Sequence, residues 1–298
     1  MGNKLNLEDE VIDGYQVSSK MKEIWQVELD LLGKFINVCD KYNIKYFIIS
    51  GSLIGAIRHN GFIPWDDDID LGMMREDYIK LLKIADIEFK DPYFFQTPYN
   101  DDLYRGHAQL RNSHTSAILP NEIHLNHNQG IFIDIFPFDE YPKNEFLCRI
   151  QKIRCRVLEK IMKHKFRKEH PTIKSKILYL ICRSLYKIFG YKNIYAHYEK
   201  VCSKYNGRGC GYISNLAFKY GRPKYKHKKE YFEELTEHQF HYLNVKIPKA
   251  YDAILSKQYG NYMEYVIGTS VHGSLYQSAT ISYKEYLKQL RGDIHEEI

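Results

Sequence analysis

Four of the five positions from 66 to 70 are aspartates, at the end of the stretch "GSLIGAIRHNGFIPWDDDID" (51–70). Carboxylates this dense repel, and each disfavours ionisation of the next unless a cation or a set of donors compensates. No ordinary core strand or helix tolerates them, so the fold must be arranged around whatever balances the charge. The flanking residues narrow the choice. "NIKYFIIS" (43–50) is a short β-rich run ending at Gly51-Ser52, and "LIGAIRH" is apolar and helix-compatible until "NGF" stops it. "DIDLGM" (68–73) reads as the next strand, and "GIFIDIFPFD" (130–139) as a later one with Asp134 in its apolar middle.

On a strand, Asp68 and Asp70 stand at i and i+2 and project from one face. Asp134, on a neighbouring strand, can reach the same place. Mg²⁺ takes oxygen ligands and is commonly held by one or two carboxylates together with substrate phosphates. The expectation is therefore a site in which Asp68, Asp70 and Asp134 bind Mg²⁺, for which Mn²⁺ can substitute, and carry out phosphoryl-transfer chemistry. Gly51 would let the backbone approach a phosphate, with the Ser52 hydroxyl and the following helix N-terminus as donors. A solvated acidic loop is the simpler reading of Asp66 and Asp67 alone. It does not extend to Asp134, because a lone charge inside "IFIDIF" is costly.

Elsewhere the periodicity is helical. Met21, Trp25, Leu29, Leu32, Ile36 and Cys39 recur every three or four positions, which predicts an amphipathic helix from Lys20 to Tyr42. A helix is expected from about 77 to 87, and strands with functional loops over 91–120. Long helices are expected from 144 to about 168 and from 174 to 189. "NGRGCGYISN" (206–215) reads as a Gly-rich turn, and the last third as loops and short helices. Its final helix opens at "SYKE" with capping-box spacing. The fold class is α/β in the first half and mostly helical in the second, with the boundary near residue 145.

Charge is distributed unevenly. Residues 149–204 carry 16 Lys or Arg against three Glu, a net +13, so the rest of the chain sums to −7 within an overall +6. Such a basic segment faces something anionic: nucleic acid, a membrane surface or a charged glycan. "KSKILYLICRSLYKIFGYK" (174–192) is either a core helix with a solvated polar face or a surface helix that docks on anionic lipid. The six cysteines show no Cys-x-x-Cys spacing and read as buried, reduced thiols. There is no apolar run long enough to span a bilayer and no secretory pattern at the N-terminus, so a cytoplasmic location is expected, with a peripheral position at the inner membrane face if the basic helix docks.

"GSLIGAIRHNGFIPWDDDIDLGM" resembles the signature of LicD-type phosphorylcholine transferases, a group within the nucleotidyltransferase-fold superfamily that includes the fukutin-related proteins. "GIFIDIFPFD" is similar to their second motif. "FEELTEHQFHYLNVKIPKAYDAILSKQYGNYME" is similar to their C-terminal segment. The resemblance runs from about residue 20 to 275. It departs after Met263, where "EYVIGTSVHGS" lacks the family's prolines and Arg and keeps only His272.

The resemblance implies a nucleotidyltransferase-like mixed-sheet core over 1–145, with residues 146–298 completing the acceptor side. It implies transfer of phosphocholine, or a similar phospho-alcohol, from CDP-choline or a related CDP-alcohol to a sugar hydroxyl of a surface glycan, with release of CMP. The acceptor would be lipopolysaccharide, teichoic acid or capsule, in lipid-linked form. Asp68 and Asp70 would hold the metal on the diphosphate, and Asp134 would be a further ligand or the base. Gly51, Ser52 and Arg58 would serve the donor phosphates. A choline head group needs a desolvated aromatic surface, for which Trp65 is the leading residue because it abuts the aspartates. Tyr93, Phe94, Phe95, Tyr99 and Tyr104 lie near it in sequence. Two competing readings stay open. One is a nucleotidyltransferase acting on nucleic acid or a small molecule, although no nucleic-acid module is evident. The other is a non-catalytic adaptor for an anionic surface.

Overall fold

The computed structural model describes residues 5–101, 103–166, 172–216, 223–267 and 275–296. In chain order the elements are β1 (Glu10–Ile12), β2 (Tyr15–Val17), α1 (Ser19–Lys41), β3 (Phe47–Ile48), α2 (Ser50–His59), β4 (Asp70–Met74), α3 (Arg75–Glu88), β5 (Tyr93–Gln96), β6 (Ala108–Asn112), β7 (Ser116–Ile118) and β8 (Ile131–Glu140). The second half adds α4 (Glu145–His164), α5 (Ile173–Phe189), α6 (Tyr191–Cys202), β9 (Tyr212–Ser214), β10 (His227–Lys228), β11 (Leu235–Phe240), β12 (Leu243–Pro248), α7 (Tyr251–Tyr259), β13 (Tyr276–Ser278) and α8 (Tyr283–Glu296).

The longest strand, β8, organises a seven-stranded mixed sheet. β4 runs parallel to it on one side and β6 antiparallel on the other, with β9 pairing its far end. β3 closes the β4 edge in antiparallel pairing. The periodicity predicted for α1 places Trp25, Leu29, Leu32 and Phe35 against Leu71, Met73, Ile133 and Ile135 of the sheet. Ser18 caps this helix by accepting from the Met21 amide.

Three expectations need adjusting. The run 43–50 pairs only over β3. Strand β4 starts at Asp70, so Asp68 sits at the strand's entrance rather than on it. In the last third a hairpin, β11–β12, replaces part of the expected loops and helices. It turns over His241-Tyr242, with His241 at φ +52°. Two-residue hairpins favour turns of this hand, usually built on Asn or Gly, so the absence of Gly hid this one. Phe240, Val245 and Ile247 of the hairpin pack into the same core as α1 and the sheet.

A second core joins α4 to α6 through Cys155, Met162, Tyr195, Tyr198 and Cys202. It is tied to the sheet by a buried ion network. Arg75 donates through Nε (2.9 Å) and Nη2 (2.5 Å) to both Asp139 oxygens, and through Nη1 to Glu199 (2.9 Å). Five of the six cysteines are buried, and no disulfide joins the six.

The hairpin turn also fixes the end of α2. His241 Nε2 accepts from the Phe62 amide at 3.2 Å, which requires that nitrogen to be unprotonated. Burial, with Lys22 nearby, pushes the His241 pKa down to about 4. A histidine with a folded pKa below its unfolded value of about 6.5 stabilises the fold at neutral pH, and that contribution is lost as pH falls from about 6.5 to about 4. We expect His241→Gln to flatten the acid limb of an unfolding-free-energy-versus-pH curve by up to about 3 kcal/mol across that window. An unchanged acid limb would mean that His241 does not carry this linkage.

Candidate active site

The acidic segment is held by its own motif. α2 ends at Asn60 in the left-handed region (φ 50°), and the chain folds back along the helix. Two glycines make the return possible. A Cβ on Gly55 would lie 2.4 Å from the Gly61 carbonyl oxygen, and one on Gly51 would lie 2.7 Å from Asp66 Oδ2. Ser52, only 4% exposed, accepts from the Asp70 amide at 2.8 Å and donates to the Asp68 carbonyl at 3.3 Å. In this geometry Gly51 and Ser52 bind the aspartate loop to the helix. Trp25 on α1 donates its indole N–H to the Asp66 carbonyl (2.9 Å), and Gln277 donates to Asp67 (3.3 Å).

The sheet brings the distant carboxylate to the same place. Asp70 and Asp134 are register partners across parallel β4 and β8, and the Asp134 amide donates to the Ile69 carbonyl at 2.9 Å. Burial, followed by the charges of Asp70, Asp66, Asp134 and Asp67, raises the Asp68 pKa well above the ordinary carboxylate value. Asp134 goes the other way. Burial raises its pKa, but His107, Arg105 and Gln109 outweigh it and leave the carboxyl below its usual range. His107 Nε2 lies 3.0 Å from Asp134 Oδ1, and Gln109 Nε2 donates to the same oxygen at 2.6 Å. The Gln109 amide is oriented in turn by buried Arg111, whose Nη2 donates to its Oε1 at 2.5 Å.

Arg58 and Trp65 both meet Tyr265. Arg58 donates to the carbonyls of Tyr262 and Glu264, both at 3.0 Å, and stacks over the Tyr265 ring. Trp65 packs edge-on to Tyr15 and Tyr265. The other aromatics near it in sequence do not converge. Phe95 stacks on Phe89, Tyr93 bonds Asp30, and Tyr99 and Tyr104 meet Tyr195 and Tyr198 in the helical core. Beside Asp70 lies a cavity of about 30 Å³ walled by Phe136, Phe138 and Phe232, room for about one water. His272 falls outside the described residues.

Sequence reasoning missed several members of this site. The most telling is Glu28, 2% exposed on α1, with Oε2 lacking a hydrogen-bond partner. Burial and then the charges of Asp67, Asp68, Asp66 and Asp134 push its pKa well up, which places it against the cluster as a further carboxylate. The signal was present: Glu28 interrupts the apolar stripe between Trp25 and Leu32, where a charge has no structural reason to be. His107, Gln109 and Arg111 left no such mark, because their roles follow from the pairing of β6 with β8. Glu28→Gln should raise the melting temperature in chelating buffer, because it removes a desolvated group among like charges. A lowered melting temperature would show that Glu28 is paired, not repelled.

Among the described residues, no three or more His, Cys, Asp or Glu side chains are arranged as a ready-made metal site. The residues nonetheless fit a cation. They are oxygen donors, like-charged, buried (Glu28, Asp67, Asp134) or half-buried (Asp66, Asp68, Asp70), and include a Glu28 carboxylate oxygen without a hydrogen-bond partner.

Comparison with known proteins agrees with this geometry. Residues 43–172 match the family described as LicD/FKTN/FKRP, nucleotidyltransferase domain. The chain is 29% identical over 254 residues to the lipopolysaccharide cholinephosphotransferase LicD of Haemophilus influenzae, spanning 82% of this chain and 91% of that protein. It is 34% identical over 143 residues to an uncharacterized protein of Rickettsia prowazekii, covering 48% of this chain and 49% of the relative. It is 25% identical over 114 residues to the ribitol 5-phosphate transferase FKRP of Mus musculus, covering 37% and 19%. With its aspartate loop, its Asp70–Asp134 register and these relatives, the chain carries over residues 43–172 a nucleotidyltransferase domain of the LicD/FKTN/FKRP family.

Proposed function

We propose that this LicD-type enzyme transfers phosphocholine, or a similar phospho-alcohol, from a CDP-activated donor to a sugar hydroxyl of a cell-surface glycan and releases CMP. The observation that carries the reading is the pairing of Asp70 with Asp134 beside Asp68, in a chain aligned over most of its length with a cholinephosphotransferase. Asp68, Asp70 and Asp134 would hold Mg²⁺, with Glu28 close by. When bound, the ion would neutralise charge on the diphosphate and on the phosphoryl group in transit. The residues around it divide the remaining work. Ser52 and Gly51 keep the aspartate loop in register with the sheet. His107 and Gln109 hold Asp134 by one oxygen and keep it ionised. A carboxylate held below its usual pKa suits cation binding better than proton abstraction, which needs a pKa nearer the working pH. Asp134 is therefore read as a ligand and not as the base.

No helix among the described residues is long and apolar enough to cross a membrane. We place the enzyme at the inner membrane face, where a lipid-linked acceptor would be presented. The test is incubation with Mg²⁺ and CDP-choline, CDP-ethanolamine, CDP-ribitol or CDP-glycerol, set against nucleoside triphosphates, with mass spectrometry of the nucleotide product. CMP from one of the CDP-alcohols is expected. Pyrophosphate release from a triphosphate, with no CMP from any CDP-alcohol, would replace this reading with nucleotidyl transfer.

A further inference from the structure

Helix α5 packs inward through Cys182, with Leu185 and Tyr186 part-buried against the helical core. On the opposite side of the helix Ile173, Ile177, Leu180, Ile181 and Ile188 are 79%, 53%, 58%, 52% and 70% exposed. Their spacing of i, i+4, i+7, i+8 and i+15 makes one continuous stripe along the helix. α4 repeats the arrangement. Gln151, Cys155 and Met162 point in, while Phe146, Ile150, Ile153 and Val157, at i, i+4, i+7 and i+11, point out. Each stripe is edged by cations: Arg149, Arg154, Arg156 and Lys160 on α4, and Lys174, Lys176, Arg183 and Lys187 on α5. α5 carries no acidic residue. A helix that only completes the core would turn its charges outward and keep its aliphatic residues in. Here both faces are apolar and the charges lie between them.

We propose that the outward faces of α4 and α5 dock on an anionic lipid bilayer, their aliphatic residues entering the acyl boundary and the flanking Lys and Arg meeting the headgroups. Charge selects this occupant. A second copy of the chain would set one +13 segment against another. A nucleic acid would use the cations and leave the isoleucines in water. The inference refines the membrane placement given above, and its test reads lipid binding, so it stands or falls separately from the choice of donor.

The full-length protein is floated with phosphatidylcholine vesicles with and without phosphatidylglycerol, at low and high salt. The wild type should rise with the anionic vesicles at low salt and stay behind with the neutral ones. A variant with Lys174, Lys176, Arg183 and Lys187 changed to Gln should bind at least about 100-fold more weakly, at roughly 1 kcal/mol per cation. A variant with Ile173, Ile177, Ile181 and Ile188 changed to Gln should lose binding with an unchanged thermal melt, because those side chains are already in solvent. Three results would overturn the proposal: wild type that never floats, either variant floating like wild type, or a dimer in sedimentation equilibrium that the isoleucine variant dissociates.

Discussion

Asp70→Asn and Asp134→Ala should each lower turnover of the CDP-alcohol by at least about 10²-fold, the scale of removing a main stabiliser of transition-state charge, while both proteins remain folded. The two carboxylates face each other across parallel strands within a set of like charges, so neutralising one weakens the grip on a cation and relieves repulsion. Asp70→Asn should therefore melt slightly higher than wild type in chelating buffer and gain less from added Mg²⁺. Asp134→Ala leaves His107 and Gln109 without the oxygen they share, yet His107 keeps its packing against the Phe136 ring and Gln109 keeps its bond from Arg111. Steady-state assays beside thermal melts decide the matter. Near-normal rates in Mg²⁺, or mutants that do not fold, would remove these residues from the chemistry.

Asp139→Ala should do the reverse. Asp139 lies five residues further along β8, an odd step that turns its side chain to the other face of the sheet from Asp134. There it accepts two bonds from Arg75, which is nearly fully buried, and one from the Asn206 side-chain Nδ2 at 2.7 Å. Removing it leaves a buried guanidinium with, among the described residues, only Glu199 as its charged partner. The cost should be about 3–5 kcal/mol, a fall in melting temperature on the order of 10 °C for a chain of this size. Whatever fraction stays folded should keep its activity per folded molecule. A stable but inactive Asp139→Ala would mean that this carboxylate belongs to the site and not to the scaffold. The two substitutions together test whether one strand carries a chemical carboxylate on one face and a structural one on the other.

Much of this was legible in the residues. The helix periods of α1, α4 and α5 and the strand-helix-strand order around Gly51-Ser52 are local properties, set by side-chain spacing and turn residues. The crowding of Asp68 and Asp70 and the oddity of Asp134 were legible too, because carboxylates in apolar or crowded surroundings need an explanation wherever they fall. What stayed hidden depends on which segments meet. The register that sets Asp70 opposite Asp134, and Gln109 opposite Asp134 on the other edge, is a non-local choice among strands. So is the hairpin that brings His241 to the end of α2 from 179 residues away in sequence. Gly51 and Ser52 fitted a phosphate cradle on sequence grounds. What tertiary structure added is that the Asp66 carboxylate passes close against Gly51 and that the Ser52 hydroxyl accepts from the Asp70 amide.

The basic helix shows the division most clearly. An apolar residue at nearly every position of "ILYLICRSLYKIF" satisfies a core helix and a docking helix equally, because periodicity counts hydrophobic positions and does not say which of them finds a partner. Composition alone determined that this segment is cationic and strongly apolar. Only packing against α4 and α6 decided that Cys182, Leu185 and Tyr186 take the inner side and that Ile173, Ile177 and Ile188 are left facing water.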